Sequence, residues 1–129
     1  MNIKNYLKNW LPVLLYMYLI FYLSSLPSPI EQIIPSKLLP YFKFDYFIYH
    51  VLEYSFLNLL LYRALIHTKN SQTSSILFAI LYAITDEIHQ YYVPGRNSNV
   101  FDLAYDSFGA IITQSIVNIY NWIKTPDKT

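Results

Sequence analysis

Long apolar runs separated by short polar connections make up most of the chain, and four of them match the ~20 residues that a helix needs to cross the hydrocarbon of a bilayer. The first runs from Leu7 to Leu26, with no charged residue between Lys8 and Glu31. Pro27, Pro29, Pro35 and Pro40 follow, and prolines so spaced do not allow a long helix to continue. They predict a loop on the membrane surface as far as Phe44. A second span, about 45–66, carries Asp45, His50, Glu53 and Asn58 in its first two-thirds and Arg63 near its far end, where a long side chain can snorkel to the interface. The connection His67 to Ser74 leads to a third span, about 75–93. A turn at Pro94 to Asn99 leads to a fourth, about 100–123, and Lys124 to Thr129 form a tail. The pattern predicts an all-α fold in one domain, residues 1–129: a polytopic membrane protein built as a bundle of four transmembrane helices.

Composition agrees with that reading. The chain is 54% hydrophobic, 19% aromatic and 13% charged, against roughly 25% charged residues in soluble domains. A net charge of +1, without a dense Lys/Arg cluster, argues against nucleic acid as a partner. The absence of cysteine removes disulfides, thiolate zinc sites and Cys nucleophiles together. The first span is long, crowded with Tyr16, Tyr18, Phe21 and Tyr22, and lacks an A-x-A-like cleavage site, so it reads as a retained helix rather than a signal peptide.

Lys and Arg favour the cytoplasmic side of membrane proteins. With the N-terminus inside, the inner side holds Lys4, Lys8, Arg63, Lys69, Lys124 and Lys128, and the outer side holds only Lys37, Lys43 and Arg96. Both termini are therefore expected in the cytoplasm. On that orientation the start of span two, the end of span three and the start of span four all reach the outer face, and the unusual polar residues lie there. The densest stretch is TDEIHQYYVPGRNSNVFDLAYDSFGA, residues 85–110, which also holds both glycines of the chain.

Helical spacing favours one shared pocket. At ~100° per residue, Asp86, Glu87, His89 and Gln90 fall on one broad face. Asp102, Asp106, Gly109 and Thr113 form a stripe at i, i+4, i+7 and i+11, where Gly109 would let a neighbouring helix approach closely. Pro94-Gly95 suits the centre of a type II turn, which would return Arg96 over the pocket. Asp45, Glu53, Asp86, Glu87, Asp102 and Asp106 outnumber Arg96, His50 and His89, so such a site must protonate carboxyls, hold water or bind a cation.

Three readings of this cluster stand side by side. In the first, the polar residues fasten helices together. In the second, they form an outward binding site for an anionic envelope group such as a lipid headgroup or cell-wall precursor, with Arg96 as its cation, His50 and His89 as donors, and Gln90, Asp102 and Asp106 lining it. In the third, His50-x-x-Glu53 and Asp86-x-x-His89 supply a divalent metal, and His50, Glu53, Asp86, Glu87 and His89 are catalytic candidates for hydrolysis or transfer on a lipid phosphate. Asn58, Gln114, Ser115 and Asn118 are expected to make helix-to-helix hydrogen bonds.

The run DEIHQYYVPGRNSNVFDLAYDSFG, with HVLEY upstream and LSSLPS ending the first span, resembles the VanZ-like family of bacterial membrane proteins across nearly the whole chain. Two positions depart from that family's pattern: Asp45 is followed by Tyr46 rather than Lys, and Asp106 stands where an amide is common. The resemblance implies a multi-pass protein of the bacterial cytoplasmic membrane and cell envelope. It also implies an association with antibiotic resistance, namely lowered susceptibility to glycopeptides such as teicoplanin.

Overall fold

The computed structural model describes residues 3–27, 37, 46–96 and 98–124. Asp45, Asn97, most of the expected Pro27 to Phe44 loop and the tail beyond Lys124 lie outside the described residues. Among the described residues the secondary structure is entirely helical, with α1 (Ile3–Ser24), α2 (Tyr46–Leu65), α3 (Ser71–Tyr91) and α4 (Val100–Lys124). The third helix starts four residues before the apolar run, because Ser71 to Ser74 form its first turn rather than part of the connection. The helices contain 20 to 25 residues, or about 30 to 38 Å at 1.5 Å per residue.

The four helices run up, down, up and down, so α1 and α3 finish at the same end at which α2 and α4 begin. Contacts along the chain fix that arrangement: Arg96, just beyond α3, reaches the last carbonyls of α1, and His50 of α2 meets Asp106 of α4. α2, α3 and α4 pack on one another, with the most extensive contact between α2 and α4, while α1 rests mainly on α2. Tyrosine hydroxyls tie α1 in place. Tyr16 donates to the Glu53 carbonyl at 3.3 Å and Tyr82 donates to the Met17 carbonyl at 2.5 Å.

Small residues allow the close packing of α2, α3 and α4. Ala79 and Ala83 on α3 and Ala110 on α4 are fully buried, and Gly109 lies against the backbone of α2. A Cβ built at Gly109 would collide with the Val51 carbonyl and stand 3.1 Å from Val51 Cα. The crossing is bonded on both sides: Ser55 Oγ donates to the Gly109 carbonyl at 3.0 Å, and Thr113 Oγ1 donates to the Ser55 carbonyl at 3.3 Å. The stripe expected at Asp102, Asp106, Gly109 and Thr113 is thus the side of α4 turned to α2 from Asp106 onward.

Polar residues inside and apolar residues outside give the bundle its character. Val13, Ile20, Tyr54, Leu57 and Leu61 form the apolar core, yet His50, Asn58, Ser75, Asp86, Glu87, Gln90, Asp102, Asp106 and Gln114 are buried with them. Leu14, Leu15, Leu52, Leu77, Leu81, Ile88, Ile116 and Ile119 are among the exposed residues. Among the described residues one helix segment, Tyr6–Ser24, is long and apolar enough to cross a membrane by length and composition. The other three helices carry too many polar groups along their buried faces to meet the same measure.

Of the four residues expected to link helices, Asn118 and Gln114 do so. Gln72 Nε2 donates to Asn118 Oδ1 at 2.6 Å, and Ser75 Oγ reaches Gln114 Oε1 at 3.4 Å. Ser115 instead bonds back to Ile111 of its own helix, and neither amide atom of the fully buried Asn58 has a partner.

The Gly109 contact makes a specific prediction. Gly109→Ala forces a Cβ onto the α2 backbone, which cannot swing away as a side-chain tip would, and overpacking of this kind costs about 1 to 3 kcal/mol. Thermal unfolding of the purified protein should show a lower midpoint for Gly109→Ala than for the wild type. Equal midpoints would mean that the two helices are not held at this distance.

Candidate functional site

The end of the bundle where α1 and α3 finish is built by capping. Val93 to Arg96 form the expected tight turn: Gly95 has φ +82°, and the Arg96 N–H donates to the Val93 carbonyl at 3.1 Å. Only glycine adopts that φ without strain. The next residues start α4. Asn99 Oδ1 accepts from the Phe101 N–H at 3.1 Å, the bond expected of an N-cap. Glu87 Oε2 accepts from Ser98 Oγ at 2.9 Å and from the Asn99 N–H at 3.0 Å. A carboxylate there also faces the positive end of the α4 dipole.

Arg96 returns to this end of the bundle, where two of its five N–H donors meet the last carbonyls of α1. Its Nε donates to the Ser24 carbonyl at 3.2 Å and its Nη2 to the Leu23 carbonyl at 3.1 Å. These carbonyls end α1 and have no partner within their helix, so a cation is favoured there by both hydrogen bonding and the helix dipole. His89 makes a parallel connection, with Nε2 2.9 Å from Ser25 Oγ and its ring 4.4 Å from that of Phe21. The segment LSSLP thus receives both side chains from the far end of α3. Sequence spacing could not reveal this, because the acceptors are mainly backbone atoms about 70 residues away.

The carboxylates occupy the inner side of the same end. His50 Nδ1 and Asp106 Oδ1 are 2.8 Å apart, both buried. Gln90 Nε2 donates to Asp86 Oδ2 at 2.8 Å across one turn of α3. Tyr49 OH points to Glu53 Oε1 at 3.4 Å, a long contact. Glu53, Asp86, Glu87, Asp102 and Asp106 therefore all lie toward this end. Asp45 is outside the described residues.

The two spacings read as metal-ligand pairs take separate partners. His50 turns to Asp106 and Glu53 to Tyr49; Asp86 turns to Gln90 and His89 to Ser25. Among the described residues no three His, Asp or Glu side chains are placed to share a metal ion. An i, i+3 spacing puts two groups on adjoining parts of a helix surface, but neighbouring helices decide which way each turns.

What remains at this end is a set of acceptors. Asp86 Oδ1, Glu87 Oε1 and Asp102 Oδ1 are buried and have no hydrogen-bond partner. Tyr54 OH, deeper on α2, is also without one. Burial of such a group without a partner costs about 1 to 3 kcal/mol, and more when it is charged. Asp86 and Glu87 each have one engaged oxygen and one free one.

Comparison with curated proteins and with solved structures yields no match. The family model described as VanZ/LLP1 matches residues 9–121. That stretch takes in the segment closing α1, His50 and Glu53 on α2, and the whole of the acidic end of α3 and α4, so the chain belongs to the VanZ/LLP1 family.

Proposed function

We propose that this is a multi-pass protein of the bacterial cytoplasmic membrane, with both termini in the cytoplasm, that lowers susceptibility to glycopeptide antibiotics. It does so through a binding site for a polar envelope group at the outward end of the bundle. Family membership supports a VanZ-like protein. The exposed Leu, Ile and Phe side chains around all four helices support a lipid surrounding, since a soluble surface rarely exposes so much contiguous apolar area.

The observation that carries the site is the group of three buried carboxylate oxygens left without donors at one end of the bundle. Fastening alone does not account for them. His50 with Asp106, Arg96 with the end of α1, and Gln90 with Asp86 are fasteners; a fastener leaves no costly oxygen over. In membrane proteins, ionisable residues away from water mark functional sites by default.

The geometry divides the cluster into two kinds of residue, which substitutions separate. Asp106→Ala strands the His50 imidazole in the interior, and breaking a buried pair in this way costs roughly 3 to 5 kcal/mol, so little protein should accumulate in the membrane. Asp102→Asn keeps the shape of the side chain and removes its charge. It should accumulate at the wild-type level yet lose the change in teicoplanin susceptibility that the wild type confers on a sensitive host. Normal accumulation with an undiminished effect would remove Asp102 from the site.

The orientation has its own test, for which the cysteine-free sequence gives a clean background. Lys69→Cys lies in the connection between α2 and α3, and Tyr92→Cys lies on the exposed rim beyond α3. An impermeant thiol reagent applied to intact cells should label the second variant and spare the first. The reverse pattern would put the acidic end in the cytoplasm and end the envelope-facing reading.

A further inference from the structure

Away from the acidic end the interior holds a second set of polar groups, which the proposed function does not use. Asn58 on α2, Ser75 on α3 and Gln114 on α4 are 0%, 0% and 3% exposed. They come from three helices that pack on one another. None of the three ionises, so what they can hold differs from what carboxylates hold.

Helical register brings them to one level. Val51, Ser55 and Asn58 follow at i, i+4 and i+7, a single stripe of α2. The first two face α4: Val51 lies against Gly109, and Ser55 is bonded to Gly109 and Thr113. Because α2 and α4 run in the same direction, Asn58, the next residue of the stripe, comes level with the turn of α4 just beyond Thr113. Gln114 lies in that turn and reaches toward α3, with Oε1 3.4 Å from Ser75 Oγ.

The hydrogen bonds made within the protein leave much of this set unserved. Asn58 Nδ2, Asn58 Oδ1 and Gln114 Nε2 are buried without a partner. Ser75 has one hydroxyl proton, and the Gln72 carbonyl at 2.8 Å takes it, so the longer contact leaves Gln114 Oε1 without a strong donor. Donors and acceptors are thus both unmet, on groups with no net charge. An ion gains little among them, whereas a small neutral group that donates and accepts meets both needs. Water is such a group, and when buried it makes about three hydrogen bonds to otherwise unsatisfied polar atoms. The surroundings suit its size: Ala79 and Ala110, both fully buried, lie one turn from Ser75 and Gln114, so methyl groups rather than long side chains flank the set. It also lies one turn inside the exposed Gln72–Asn118 bond, which gives solvent a short way in.

We propose that Asn58, Ser75 and Gln114 form an internal water site between α2, α3 and α4. The bound water accepts from the Asn58 and Gln114 amide groups and donates to Asn58 Oδ1 and Ser75 Oγ. The site joins the three helices at a level where few direct side-chain bonds do so, and it is independent of whatever binds at the acidic end.

Two measurements on the purified full chain in neutral detergent test this. In nuclear magnetic resonance of nitrogen-labelled wild type, the side-chain NH2 protons of Asn58 and Gln114 should show dipolar cross-peaks to water, told from chemical exchange by their opposite sign in the rotating frame. Absence of such cross-peaks at both residues overturns the proposal, and it does so even if the two amides prove to bond each other directly. The second measurement is the thermal midpoint of Asn58→Leu, Gln114→Leu and the double variant. An amide with nothing to bond is relieved by an apolar side chain of similar size, because a buried donor and acceptor are removed together. An amide that holds water loses those bonds instead, so the midpoint of Asn58→Leu should fall. Gln114→Leu should then lower it at most half as much in the Asn58→Leu background as in the wild type, since groups that share a partner do not act additively. A midpoint that rises in Asn58→Leu, or losses that simply add, overturns the proposal. Should a variant fail to accumulate, the wild-type cross-peaks decide alone.

Discussion

The approach of α2 to α4 at Gly109 is the constraint on which the polar end depends. Asp106 lies three residues before Gly109, and His50 lies one before Val51, whose carbonyl rests against the glycine. The backbone separation at Gly109 therefore sets the separation at the His50–Asp106 pair, which closes to 2.8 Å. A side chain at position 109 would widen the crossing and draw apart two groups that have no water to replace one another. Packing and hydrogen bonding are thus one constraint here: the missing Cβ is what lets the buried His50–Asp106 contact close in a mostly apolar bundle.

Much of this was legible in the sequence because it rests on period and on backbone chemistry. Asp106, Gly109 and Thr113 share a helix face by spacing alone, and the partner helix reads that face in order. Pro94-Gly95 announced a turn, and Gly95 adopts the positive φ that such a turn requires. The destinations of Arg96 and His89 were not legible. Their partners are the Leu23 and Ser24 carbonyls and the Ser25 hydroxyl, and a carbonyl leaves no trace in the residue type. The same holds for Tyr16 and Tyr82, whose hydroxyls end on carbonyls of neighbouring helices. Asn58 misled in the opposite sense, since a polar type in an apolar run suggested a bond that the packing does not supply.

The distribution of hydropathy also has a physical cause. Only α1 has an apolar window of the required strength among the described helices, although α2, α3 and α4 are as long. α1 contributes carbonyls and Tyr16 to the polar contacts and needs few polar side chains, whereas the other three supply the carboxylates, imidazoles and amides of the interior. Averaging along a helix mixes the inner face with the outer one. Phe56, Leu59, Leu81, Ile84, Ile111 and Ile112 show that the outward faces of these helices remain apolar.

The division of the Asp86 and Glu87 carboxylates into an engaged side and a free oxygen joins stability to function. Glu87 holds the start of α4 through Oε2 while Oε1 has no donor; Asp86 holds Gln90 through Oδ2 while Oδ1 has none. The engaged oxygen fixes the carboxylate plane, so the direction of the free one is set as well. The cost is carried by the empty state, which keeps acceptors buried without partners. The Arg96 guanidinium is held by the end of α1, and that contact closes the bundle at this end.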